Sequence, residues 1–234
     1  MVTFFTSLKN YFTPRRSQSV LGIPLVARQL LFGGWNLEAC GIYYSGTYVE
    51  TIWLKTFKHL KKKGVRPNRL LVLGQGAGSS FYAAKKVWGR NVPLVGVDID
   101  PAILALGKEF YTPDFSRHAG LFSRLFQKGT VPISYRADAL EFLKQNKEKF
   151  SAQGGPASGW DLIAVDLFDT DKPAPLVRST ELLMEVSRAL LPGGIVVLNI
   201  FREDSQYKDI WNKQFTIMEQ FQAGNNQFLV MRCE

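Results

Sequence analysis

Apolar positions in this chain fall into short runs separated by segments of helical spacing, and that alternation governs the reading. The runs at 70–74, 93–98, 131–136, 161–166 and 194–200 are of strand length, and most are apolar on both faces, as buried parallel strands are. Between them, 79–88, 101–110, 138–148 and 178–191 carry apolar residues three and four apart, which predicts helices. A further helix at 48–62 precedes the first run, with Val49, Ile52, Trp53, Phe57 and Leu60 along one side.

Strands alternating with helices predict an α/β fold: a doubly wound, mostly parallel sheet. The end of the chain breaks the alternation. After a helical stretch at 206–213, the segments 215–221 and 227–233 flank Ala223-Gly224-Asn225-Asn226, a turn sequence. An antiparallel hairpin there completes a seven-stranded sheet.

The first 47 residues read as a basic extension, and 48–234 as one nucleoside-binding domain. Phe4, Phe5, Leu8, Tyr11 and Phe12 have helical spacing until Pro14-Arg15-Arg16 ends it, and docking on its own domain is the expected role of that segment. Residues 19–45 predict two short strands around Gly33-Gly34. Gly154-Gly155-Pro156 marks a surface loop, and Pro192-Gly193-Gly194 turns the chain into its fifth strand.

Composition narrows the classes. The chain has only two histidines, His59 and His118, so neither a histidine metal site nor a Ser-His-Asp triad is expected. Cys40 and Cys233 match no metal or redox spacing, which suits a reducing compartment. The charge-free apolar stretch at 17–27 is interrupted by Pro24 and too short to cross a bilayer, and 1–9 lacks a secretory pattern. A cytoplasmic protein without a metal is the expectation.

The net charge is +9, and it is unevenly placed. Residues 1–69 hold 11 Lys and Arg against 2 acids, while the remainder balances. Lys55, Lys58, Lys61, Lys62, Lys63, Arg66 and Arg69 are the densest group. They suit nucleic acid or an anionic membrane, or equally a solvated helix end complementing the macrodipole. The solvated end is the favoured reading, because no aromatics are interleaved for base stacking.

Chemistry concentrates where strands end. Val72-Leu73 lead into Gly74, Gln75, Gly76 and Gly78, a turn that lets backbone amides approach a ligand. About 20 residues on, the second strand ends at Asp98-Ile99, an acid able to accept both hydroxyls of a ribose. Asp100, followed by Pro101, reads instead as the cap of the next helix. Asp138-Ala139 can read an adenine amine while Asp138 caps its own helix. The fourth strand ends at Asp166, with Asp169 and Asp171 in a loop holding Pro173 and Pro175 and no obvious helix before Ser179. Three carboxylates beside a nucleoside suit an amine, and Asp166 can take its proton.

These segments, VLGQGAG at 72–78, VGVDIDP at 95–101, RADALEFL at 136–143, WDLIAVDLFD at 160–169 and LLPGGIVVLN at 190–199, resemble the class I S-adenosylmethionine-binding Rossmann-like superfamily. Within it they resemble the spermidine synthase group, in particular its divergent bacterial members. Asp166 and Asp169 with Pro173-Ala174 are similar to that group's gatekeeping loop, and Tyr48-Val49-Glu50 to its Tyr-x-Glu.

The resemblance implies an S-adenosylmethionine or decarboxylated S-adenosylmethionine co-substrate on Asp98 and Asp138. It also implies a small amine acceptor held by Tyr48 and Asp169, with Asp166 as base. The group usually carries an acid at the position of Ala77 to grip the aminopropyl ammonium, so Ala77→Asp is expected to favour the decarboxylated cofactor. Aminopropyl transfer is the first reading. Methyl transfer to an amine, favoured by Ala77, is the second, and a non-catalytic nucleoside-binding protein is the third. A homodimer is left open.

Overall fold

A computed structural model of the chain describes residues 13–30, 34–111, 130–146, 159–201 and 205–233. The segments 1–12 and 154–156 and His118, on which the sequence carries expectations, lie outside the described residues.

The N-terminal part is a four-stranded antiparallel sheet of β1 (Arg15–Gln18), β2 (Pro24–Gln29), β3 (Trp35–Ala39) and β4 (Ile42–Gly46), paired in that order. Two strands were expected here, and the extra pair has separate causes. β3 and β4 turn at Cys40-Gly41, both with positive φ (51° and 76°), the backbone of a tight hairpin turn. β1 is RRSQ with every residue exposed, so it has no buried face for a hydrophobic pattern to reveal.

α1 (Thr47–Lys62) leads into β5 (Leu70–Leu73), α2 (Ser79–Trp88), β6 (Leu94–Asp98), α3 (Pro101–Tyr111), β7 (Ile133–Arg136), α4 (Ala139–Gln145) and β8 (Trp160–Val165). The loop expected after β8 is instead built. It is a small hairpin, β9 (Phe168–Asp169) with β10 (Lys172–Pro173), followed by a 3-10 turn at Pro175–Arg178 whose first position is the proline. Then come α5 (Thr180–Ala189), β11 (Leu190–Asn199), α6 (Ser205–Trp211) and the hairpin β12 (Thr216–Ala223) with β13 (Asn226–Arg232). β11 starts before its expected first residue, with a register irregularity between Leu190 and Ile195 that takes in Pro192-Gly193-Gly194.

The large sheet runs β12-β13-β11-β8-β5-β6-β7, parallel throughout except for the terminal hairpin. That seven-stranded order is the class I methyltransferase-like Rossmann fold. Its central strands β5, β8 and β11 bury both faces by simple alternation. Leu71, Leu73, Ile163, Val165, Val196 and Leu198 pack on Leu182, Val186, Tyr207 and Trp211, while Leu70, Val72, Leu162, Ala164 and Val197 pack on Trp53, Phe57, Leu60, Ala83 and Val87. A smaller cluster joins Leu25, Ala27, Leu37 and Ala39 of the N-terminal sheet to Ala77 and Ile103. The N-terminal sheet is thereby seated over the glycine turn and α3. Chain order reverses between β5 and β8, and a crevice opens there at the strands' carboxyl ends.

Candidate active site

The crevice is a cavity of about 640 Å³, within the range of small-molecule sites. Its floor is the ends of β5, β6, β8 and β11, and its roof is the N-terminal sheet with the first turns of α1. Gly74, Gly76, Asp98, Ile99, Asp138, Ala139, Asp166, Asp169 and Tyr48 all line it. Gln75 and Gly78 do not. Gln75 is 6% exposed and turns away from the cavity, its Nε2 donating to Ser134 Oγ at 2.9 Å. Gly78, with φ 106°, is the residue from which α2 starts.

Asp98 is fixed by its own turn. Its Oδ2 accepts from the Gly76 amide at 2.9 Å and its Oδ1 from the Asp100 amide at 3.0 Å. Burial nonetheless raises its carboxyl above the usual aspartate value, with neighbouring Asp100 adding to the rise. Asp100 caps α3, Oδ1 accepting from the amides of Ala102 at 2.8 Å and Ile103 at 3.3 Å. Its Oδ2 accepts from the Val20 amide at 3.2 Å, which ties the loop after β1 to the rim. Asp138 caps α4 through Oδ1, from the amides of Leu140 and Glu141, while lining the cavity.

Asp166 stands where β8 ends, at the switch point. Trp53 Nε1 donates to its Oδ2 at 3.0 Å, and Asn199 Nδ2 to its Oδ1 at 2.7 Å. Burial pushes its carboxyl up to about 6; the two hydrogen bonds oppose that rise, and the Asp98 charge adds to it. A carboxyl poised there is ionised at neutral pH yet remains a competent proton acceptor.

Trp53 and Asn199 line the cavity beside Asp166, and the sequence reading left them on a helix face and in a strand. Asn199 carries a legible signal, since it is the polar residue that ends a buried strand, as Asp98 and Asp166 are. Trp53 carries a weaker one: a fully buried indole needs a partner for its N–H.

The β9–β10 hairpin covers the side of the cavity nearest Asp169, with Thr170 at φ 56° in its turn. The Thr170 amide donates to the Tyr44 hydroxyl. Burial raises the Tyr44 phenol, which also lies near Asp169 and Asp100. Tyr48 packs its ring against Tyr43 at 5.5 Å on the exposed side.

The charge on the cavity is one-sided. Five aspartates, Asp98, Asp100, Asp138, Asp166 and Asp169, line it, and among the described lining residues there is no Lys, Arg or His. In a chain of net charge +9, that is a strong local reversal. The arrangement suits a cation with hydroxyls and apolar surface, and among the described lining residues it offers no positive partner for a carboxylate. Among the described residues, no group of three or more His, Cys, Asp and Glu is placed to hold a metal, and no helix is long and apolar enough to cross a membrane.

No family model matches the chain, and no curated protein matches it. Solved structures do. A probable spermidine synthase from Corynebacterium glutamicum superposes with a TM-score of 0.63 at 14% identity, over 94% of this chain and 79% of that one. The spermidine synthase from Thermotoga maritima gives 0.63 at 14%, over 94% and 72%. The N-methyltransferase NodS from Bradyrhizobium japonicum, solved in complex with S-adenosyl-L-homocysteine, gives 0.50 at 14%, over 77% and 85%. The fold is therefore the class I S-adenosylmethionine-binding fold, with structural similarity to spermidine synthases and N-methyltransferases.

Proposed function

We propose that the protein is a transferase that uses an adenosyl sulfonium co-substrate and moves an aminopropyl group from it to a small amine. The observation that carries this reading is the buried Asp166 carboxylate, held between Trp53 and Asn199 on a cavity lined by four further aspartates and, among its described residues, no cation.

The residues present fit the adenosyl group. Gly74 and Gly76, at φ 81° and 57°, line the cavity with Asp98, Asp138 and Ala139, and in this reading the glycines expose backbone to the group, Asp98 accepts the two ribose hydroxyls and Asp138 with Ala139 borders the base. When bound, the sulfonium supplies an electrophilic carbon and a neutral thioether leaving group. Asp169 and Tyr48 hold the amine at the open side. As nitrogen bonds to that carbon and the carbon–sulfur bond breaks, Asp166 accepts the proton the nitrogen sheds. The apolar walls from Ile52, Leu167 and Phe201 keep competing water away.

Methyl transfer to an amine is the second reading, favoured by Ala77. That residue is 2% exposed, packed in the apolar cluster with Leu25 and Ile103, and supplies no acid to an aminopropyl ammonium. Incubating the protein with decarboxylated S-adenosylmethionine or S-adenosylmethionine and a panel of diamines, followed by mass spectrometry, separates the two. An adduct heavier by one aminopropyl group, lost in Asp166→Asn, supports the first reading; a methyl adduct supports the second, and no adduct from either overturns both.

A further inference from the structure

The Asp166 carboxylate is the end of a one-directional chain of hydrogen bonds that starts in the C-terminal hairpin. Asn226, at the first position of β13, donates through Nδ2 to Asn199 Oδ1 at 3.0 Å. The same oxygen accepts from the Phe201 amide at 3.1 Å. With two donors on its oxygen, the Asn199 amide has one usable orientation, in which Nδ2 faces Asp166 Oδ1 at 2.7 Å. On the other side Trp53 is fully buried, its ring 5.1 Å from Phe57 and 5.3 Å from Phe228, and its indole N–H reaches Asp166 Oδ2 at 3.0 Å. Both oxygens of the carboxylate are thus engaged by donors whose own positions are over-determined. Neither donor is a charge.

We propose that Trp53, Asn199 and Asn226 are positioning residues: they hold the Asp166 carboxylate in a single rotamer as a double acceptor, and make the β12–β13 hairpin part of the reactive site. The proposal rests on the reading of Asp166 as the proton acceptor.

Its physical content is a division of labour. Two neutral donors stabilise the ionised carboxylate by hydrogen bonding alone, where a cation would hold it down far more strongly and make it a poor base. Asn199 cannot be replaced by a group free to rotate without offering Asp166 an acceptor in place of a donor. Asn226 prevents that rotation from a distance. It is 7% exposed, and its place at the turn of the hairpin fixes the register in which Asn199 meets Phe228 across β11 and β13. The remaining titratable groups on the cavity are Asp98, Asp100, Asp138 and Asp169 with Tyr43, Tyr44 and Tyr48, and of these it is the Asp98 charge that opposes ionisation of Asp166.

The test is a carboxyl 13C NMR titration of the full-length protein labelled at aspartate, with the Asp166 signal assigned by its loss in Asp166→Asn. In Trp53→Phe, which keeps an aromatic ring on Phe57 and Phe228, the Asp166 midpoint is expected to rise by about one pH unit. In Asn226→Ala it is expected to rise by a smaller amount in the same direction. The acid limb of the pH–rate profile should follow, with cofactor affinity unchanged. Should Trp53→Phe not fold, Asn199→Ala removes the second donor and carries the same expectation.

A midpoint that stays at its wild-type value in these variants overturns the proposal. A raised midpoint in a protein that transfers nothing to any amine upholds the positioning and sinks the transferase reading. Unchanged midpoints in an active transferase do the reverse.

Discussion

A Cβ placed on Gly74 would lie 2.2 Å from the carbonyl oxygen of Asp166. The glycine turn and the end of β8 run in direct backbone contact, fastened on the other side by the Asp166 amide donating to the Leu73 carbonyl at 2.8 Å. Gly74 also sits at φ 81°, where side chains are strained. Gly74→Ala must therefore push Asp166 away from Trp53 and Asn199. The variant is expected to lose about 3 kcal/mol of stability and most of its activity, read by urea unfolding and by turnover. Wild-type activity would show that the contact does not position the carboxylate.

Asp98 accepts from the Gly76 amide, so it shapes the glycine turn, and the proposed function puts a ribose on it. Asp98→Ala is expected to weaken binding of methylthioadenosine by roughly 100-fold, or about 3 kcal/mol, in calorimetric titration. Equal affinity would place the sugar elsewhere.

Ala77 separates resemblance from structure. Its position in the synthases usually carries an acid, which predicts that Ala77→Asp changes cofactor preference. Here the residue is enclosed by the N-terminal sheet and α3, and its carbonyl lies 2.7 Å from where a Gly107 Cβ would be. An aspartate there buries an unpaired charge. The expected outcome is a loss of several kcal/mol in unfolding free energy, with the ratio of affinities for the two cofactors unchanged. A changed ratio in a folded variant would restore the expectation from the family.

The mostly parallel seven-stranded sheet was legible in the sequence because buried parallel strands leave continuous apolar runs, and the glycine turn and strand-end acids mark the crevice. Less was legible wherever a residue's role depends on a partner far away in the chain. Trp53 meets Asp166 across 113 residues, and a tryptophan on a helix's apolar face reads as core until that partner is known. β1 shows no pattern because it buries nothing. Gln75 stands between two cavity glycines, yet its side chain turns to Ser134, a direction that spacing does not encode.

The raised Asp166 carboxyl has a consequence for stability. Its folded value is about 6 against 3.8 for an ordinary aspartate, so the folded protein keeps this proton to higher pH than the unfolded chain does. Stability contributed by this group is therefore full in acid and is lost as pH rises through that window, about 3 kcal/mol in all, levelling off above it. Wild type is expected to lose that amount relative to Asp166→Asn between about pH 4 and 7 in paired urea titrations. A pH-independent difference between the two would mean that Asp166 titrates as an ordinary aspartate.

The most direct measurement of the central claim is calorimetric titration of the protein with decarboxylated S-adenosylmethionine and, separately, with S-adenosylmethionine. A cavity of five aspartates with no cation among its described lining residues should bind the decarboxylated cation at least tenfold more tightly, about 1.4 kcal/mol, because the carboxylate of the other finds no partner. Equal or tighter binding of S-adenosylmethionine, or no binding of either, would contradict the account.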